Sequence, residues 1–267
     1  MNRRPAPWLF LIGTIAWTWC FLFLTLLTGQ GYLQFPTVIL TLIGGLGPLL
    51  VPTLLIRLGY WDASLDETPG GFLRRMINPL TLSFRWFVYV VGLVLVLRLV
   101  PILLNQAFGG HNAGILEVGP WTFIFIGVVF GGLEEFGWRG YAQEALQRRL
   151  PIVLAGFVIG AFWAAWHFPL FFMEGSYQAQ MGLFTSTFWL YHASIVIGSP
   201  IYAWLYNACG RVAFVAVFYH ALGNLGGELF ADADPWRFFV ELMLLLVVIV
   251  GSWRWIRRPV GKSDPAV

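Results

Sequence analysis

Glu134 and Glu135 stand side by side at the end of the apolar run Pro120–Leu133 and open the string Glu134-Glu135-Phe136-Gly137-Trp138-Arg139. Two further polar sets sit in equally apolar surroundings. One is His167, in Trp163-Ala164-Ala165-Trp166-His167, and the other is His220-Ala221-Leu222-Gly223-Asn224. A charged group at the centre of a bilayer costs at least about 2.5–3.5 kcal/mol on insertion scales, so such groups mark function. A carboxyl group in an apolar site is held toward its neutral form, which suits general acid–base work near neutral pH. An imidazole can polarise a water molecule or bind a metal. The N–H groups of His and Asn can donate to a developing oxyanion. Glu134, His167 and His220 also make up a His₂Glu set, the ligand type of several catalytic zinc sites. Together these residues suit hydrolysis of a peptide bond by an activated water, with the cofactor open between zinc and none. A covalent nucleophile is not indicated: no Ser lies in a Gly-x-Ser-x-Gly string, neither Cys neighbours a His, and there is no His-Glu-x-x-His pair.

Spacing assigns faces. Glu135 and Arg139 are four residues apart, carboxylate first, and can pair along one helix face. Glu134 is rotated about 100° from that face and is free to look toward another helix. His220 and Asn224 present two polar heads together. If the three helices ran straight, the polar groups would be spread over about 11 Å along the helix axes, roughly two turns. Spacing alone therefore does not bring them to one point.

The elements that must position these groups are membrane helices. The chain is 58% hydrophobic, 18% aromatic and 11% charged, with a mean hydropathy of +0.74, which excludes an ordinary soluble domain. A net charge of +3 with scattered basic residues gives no sign of nucleic-acid binding. At about 20 apolar residues per span, eight spans are expected, near 8–28, 35–58, 84–104, 120–147, 151–173, 183–206, 212–230 and 237–257. The second holds Gly44, Gly45, Gly47, Pro48 and Pro52 and is expected to kink. Residues 71–85 read as an amphipathic stretch on the membrane surface. With the N-terminus in the cytoplasm, all Lys and Arg residues except Arg98 and Arg237 fall on the inner side, as the positive-inside rule requires. The expected fold is thus an all-α polytopic membrane protein of about eight transmembrane helices. Both termini are cytoplasmic, the polar site lies inside the bundle, and residues 1–267 form one membrane domain. Cys20 and Cys209 read as packing residues, Trp17 and Trp19 as interfacial anchors, and Glu241 as a group at a helix end reaching the interface. His111 and His192 stand apart from the polar sets.

The three polar strings resemble the motifs of the CAAX protease and bacteriocin-processing (Abi) family, which includes the type II CAAX prenyl endopeptidases. Its pattern is Glu-Glu-x-x-x-Arg, Phe-x-x-x-His and His-x-x-x-Asn/Asp on successive membrane helices. Glu134 to Arg139 and His220 to Asn224 fit; in the second motif Trp163 replaces Phe ahead of His167. The resemblance covers about residues 120–230. It implies an eight-helix intramembrane protease in which Glu134 and His167 activate water, His220 and Asn224 stabilise the oxyanion, and Glu135 with Arg139 supports the site. If a metal is used, Glu134, His167 and His220 would hold it; our reading favours water activated by Glu134 without an obligatory metal. The implied partners are the bilayer and a membrane-associated peptide or protein substrate, of CAAX type or of leader or bacteriocin type, in the plasma (inner) membrane. Two other classes use the same residues differently: a proton-coupled transporter, and a non-catalytic peptide-binding immunity or scaffold protein.

Overall fold

The computed structural model describes residues 5–61, 69–108, 131–229 and 235–256. It is built from helices: α1 (Pro7–Leu27), α2 (Thr37–Gly45), α3 (Gly47–Arg57), α4 (Pro69–Ile77), α5 (Phe84–Ala107), α6 (131–146), α7 (Ile152–Trp166), α8 (Tyr177–Met181), α9 (Ser186–Ala208), α10 (Phe214–Leu229) and α11 (Pro235–Ile256). Within α6, Phe136–Gln143 is a π-helix.

The count of eight spans is corrected. Among the described residues, three helices are long and apolar enough to cross a membrane: Pro7–Leu27, Phe84–Ala107, and Ile152–Phe172, which includes a 3₁₀ turn. The pair α2–α3 makes a fourth if counted as one broken span. The physical reasons are local. The sixth stretch, α9, is diluted by His192, Ser194, Ser199 and Asn207. The seventh, α10, has 16 residues, about 24 Å of helix against about 30 Å of hydrocarbon. The eighth, α11, is not among the three helices counted over the described residues. Of the fourth, residues 120–130 lie outside the described residues, as does His111, and the remainder is the polar α6. The assignment of both termini to the cytoplasm depended on eight crossings and falls with them. What stands is an all-α, multi-pass integral membrane protein.

Two proline breaks shape the bundle. Between α2 and α3 the chain bends by 58° at Leu46. Pro48 has no N–H to offer the carbonyl of Gly44, four residues earlier. The Thr18 hydroxyl of α1 donates to that carbonyl instead, at 2.7 Å, and Trp17 Nε1 donates to Ile43 O at 2.9 Å. At the end of α7, Pro169 likewise frees the carbonyl of Ala165, and Trp19 Nε1 donates to it at 3.2 Å. Trp17 and Trp19 therefore cap broken helices and are not merely interfacial anchors. In an apolar interior each freed backbone group must find such a partner. Trp166 Nε1 closes the chain of bonds by donating to Thr18 Oγ1 at 2.8 Å, so the helix end that carries His167 is tied through α1 to the α2–α3 bend.

The largest helix–helix interface joins α7 and α9. It is close because Gly156 and Gly160, spaced as a small-xxx-small pair, face the Pro200 turn of α9. A Cβ on Gly156 would lie 2.7 Å from Pro200 Cα, and one on Gly160 would lie 2.9 Å from Val196 O. The stretch expected on the membrane surface is partly internal. Phe72 and Met76 of α4 are fully buried, with Phe72 edge-on to Phe136 of α6 at 6.2 Å. Cys20 is exposed and not packed; Cys209 is half-buried. The α7–α9 contact gives a stability prediction. Gly156→Leu should lower the unfolding free energy in mixed micelles by about 1–3 kcal/mol through overpacking. Gly92→Leu, whose Cβ meets nothing within 4 Å, should stay within about 0.5 kcal/mol.

Candidate active site

The site is organised by α6. A π-helix bonds each N–H to the carbonyl five residues back, widens the turn, and is found mostly at functional sites. Every residue from Phe136 to Gln143 is buried. Its glycines permit this: a Cβ on Gly137 would strike the Phe10 ring of α1 and the Pro48 carbonyl of α3, and a Cβ on Gly140 would meet Met76 Sδ of α4. At the end of the π-helix and just past it, Gln143, Glu144 and Gln147 form a buried hydrogen-bonded chain that continues to Asn207 of α9.

Glu135 and Arg139 pair as their spacing indicates. Arg139 Nη1 donates to both carboxylate oxygens, at 3.1 and 2.9 Å, and both side chains are fully buried. The guanidinium has three further neighbours. Nη2 donates to Ser199 Oγ at 2.8 Å, and the cation lies 4.1 Å over the Tyr202 ring and 4.9 Å over the Trp163 ring. Glu135 does more than hold Arg139, because His220 Nδ1 of α10 sits 2.7 Å from its Oε1.

The two imidazoles are oriented by these partners. His167 caps α7, and its Nδ1 lies 2.8 Å from the Trp163 carbonyl. A carbonyl can only accept, so Nδ1 carries the proton and Nε2 of the neutral ring is an acceptor. His220 Nε2 and the Asn224 amide both face Gly131 of α6. A Cβ there would overlap Asn224 Nδ2 and lie 3.2 Å from His220 Nε2. Glu134 is buried, and Trp163 Nε1 donates to its Oε2 at 2.8 Å.

Glu134, His167, His220 and Asn224 all line one cavity of about 390 Å³, together with Gly131 and Trp163. Groups that straight helices would spread along the axis thus line one common cavity. His192 is not among the lining residues; its Nδ1 lies 2.8 Å from Phe188 O and its ring stacks on Phe171. The cavity lining also holds a pair that spacing did not reveal. Arg98 of α5 donates from Nη1 to Glu241 of α11 at 3.1 Å and from Nη2 to Gly223 O at 3.0 Å. Glu241 is thus a cavity-lining group, paired with Arg98. The available signal was Arg98 and Glu241, each set in a locally apolar stretch of its helix and each therefore in need of a partner. Among the described residues no three His, Cys, Asp or Glu side chains are grouped to hold a metal ion. The set Glu134, His167 and His220 does not form a ligand cluster in this arrangement.

The family model described as "Type II CAAX prenyl endopeptidase Rce1-like" matches residues 117–226, the segment that contains all of these motifs. CAAX prenyl protease 2 of Methanococcus maripaludis is 30% identical over 192 residues, covering 68% of this chain and 70% of that protein. The chain is an intramembrane hydrolase of the CAAX and Abi type. It belongs to the CAAX protease and bacteriocin-processing family. The crowding at Gly131 supplies a test. Gly131→Ala should reduce hydrolysis about 100-fold, the scale of an ångström-level misplacement at a site, while the purified protein keeps its elution volume and melting temperature.

Proposed function

We propose that this protein is an intramembrane endopeptidase that hydrolyses a peptide bond of a membrane-associated substrate with a water activated by Glu134 and His167. The observation that carries the reading is the meeting of Glu134, His167, His220 and Asn224, from three helices, on one cavity of about 390 Å³. That volume lies in the usual range for ligand sites and suits a short stretch of extended peptide. In this reading the water oxygen bonds to the carbonyl carbon while Glu134 takes its proton. The acceptor Nε2 of His167 orients the water. The tetrahedral oxyanion is met by Asn224 Nδ2 and by His220. With Nδ1 of His220 engaged by Glu135, Nε2 can donate only from the doubly protonated ring. Glu134 then returns the proton to the departing amine nitrogen as the C–N bond breaks. Glu135 and Arg139 act as site support by fixing His220.

The substrate class follows the family. The relative from Methanococcus maripaludis is named a CAAX prenyl protease, so a lipid-anchored peptide with a CAAX-type end is the first candidate, and a leader or bacteriocin-type peptide the second. We place the activity in the plasma (inner) membrane. The test is cleavage of a panel of prenylated and unmodified fluorogenic peptides by purified protein in detergent. Glu134→Gln should lower turnover by at least about 1,000-fold, with its melting temperature maintained, since both proton transfers and water positioning are lost. Wild-type activity that survives prolonged chelation supports hydrolysis without a metal. Full activity in Glu134→Gln would overturn the reading.

A further inference from the structure

We infer that Trp163 is a positioning residue for Glu134, its indole N–H holding one carboxylate oxygen so that the other stays turned toward the cavity. The inference rests on Glu134 being the water-activating base proposed above. Trp163 Nε1 donates to Glu134 Oε2 at 2.8 Å, and both side chains are buried. An indole N–H can only donate, and its bond is strongest to an ionised carboxylate. Among the described residues no donor reaches Oε1 in hydrogen-bond geometry; the Trp138 indole faces Glu134 but falls outside that geometry. The Trp163 ring is itself fixed. Arg139 covers its face at 4.9 Å, and His220 and Tyr202 meet it edge-on at 5.0 and 5.4 Å. Its carbonyl holds His167 at 2.8 Å. One residue thus touches both parts of the water-activating pair and the ring of the oxyanion donor. This is the position where the family motif has Phe, which would fill the same space but donate nothing.

The bond has a consequence that packing alone lacks. A donor to the ionised form favours that form, so its removal should make Glu134 easier to protonate. The other ionisable groups around Glu134 are His220 on α10, His167 on α7, Tyr191 and Tyr202 on α9, and Glu135 and Arg139 on its own helix. Trp163→Phe removes none of them.

The experiment compares wild type, Trp163→Phe and Glu134→Gln in detergent. A hydrophobic carbodiimide adds to a protonated carboxyl group, and mass spectrometry of the α6 peptide reads the adduct at each pH without any substrate. Glu134→Gln identifies which adduct belongs to Glu134. In Trp163→Phe the labelling curve should move to higher pH by about one unit, the scale of one hydrogen bond to a charged group. On any cleaved peptide, kcat should fall about tenfold or more with KM within about twofold. An unmoved labelling curve, or a fall in activity that only follows a fall in folded protein, overturns the inference. Full activity in Glu134→Gln removes the proposed function instead, so the two failures are separable.

Discussion

Arg139 is a full positive charge with no exposure to water, and the arrangement of this protein follows from how that charge is compensated. A buried unpaired ion costs several kcal/mol. Glu135, Ser199 and the faces of Tyr202 and Trp163 together meet the guanidinium. Those partners come from α6, α7 and α9, so the charge fixes the mutual placement of three helices. Glu135 extends the set to α10 by holding His220. The ion pair is therefore a structural centre and the support of one site imidazole at once.

A second constraint places the other imidazole. Each break in an apolar helix frees a backbone carbonyl, and α1 supplies side chains that donate to the freed groups: Thr18 to Gly44 and Trp19 to Ala165. Those donors satisfy carbonyls freed at the bend and at the end of α7, where His167 caps the helix and lines the cavity. Gly131, Gly156 and Gly160 act in the same direction by removing side chains where helices or polar heads must come within contact distance. The polar site is thus assembled by close approach at glycines and by repaired proline breaks, with the buried ion pair between them.

Interactions inside one helix were legible in the sequence. The four-residue spacing gave the Glu135–Arg139 pair, glycines and prolines marked the break near Leu46, and the isolation of His192 from the site could be read off its neighbours. Contacts between helices were not legible. The bonds from Glu135 to His220, from Trp163 to Glu134 and from Arg98 to Glu241 depend on crossing angles and axial offsets that a one-dimensional pattern does not contain. The span count failed for a related reason. Apolar runs locate candidate segments, but His192, Ser194, Ser199 and Asn207 make α9 a helix whose polar groups are met by protein, and α6 changes pitch at Phe136. The donation of Trp17 and Trp19 to broken turns was not legible either, because an aromatic ring in an apolar helix has the same signature whether it faces an interface or donates to a freed carbonyl.

The central claim is that Glu135 and Arg139 are mutually compensating ions on which the site is built. The most direct measurement is a double-mutant cycle on unfolding free energy in mixed micelles, using Glu135→Gln, Arg139→Gln and the two together. Removing one partner of a buried pair strands the other, so each single variant should lose about 3–5 kcal/mol, and the double variant should lose no more than either alone. Losses that simply add would contradict the account, because they would mean that the two side chains stabilise the protein independently.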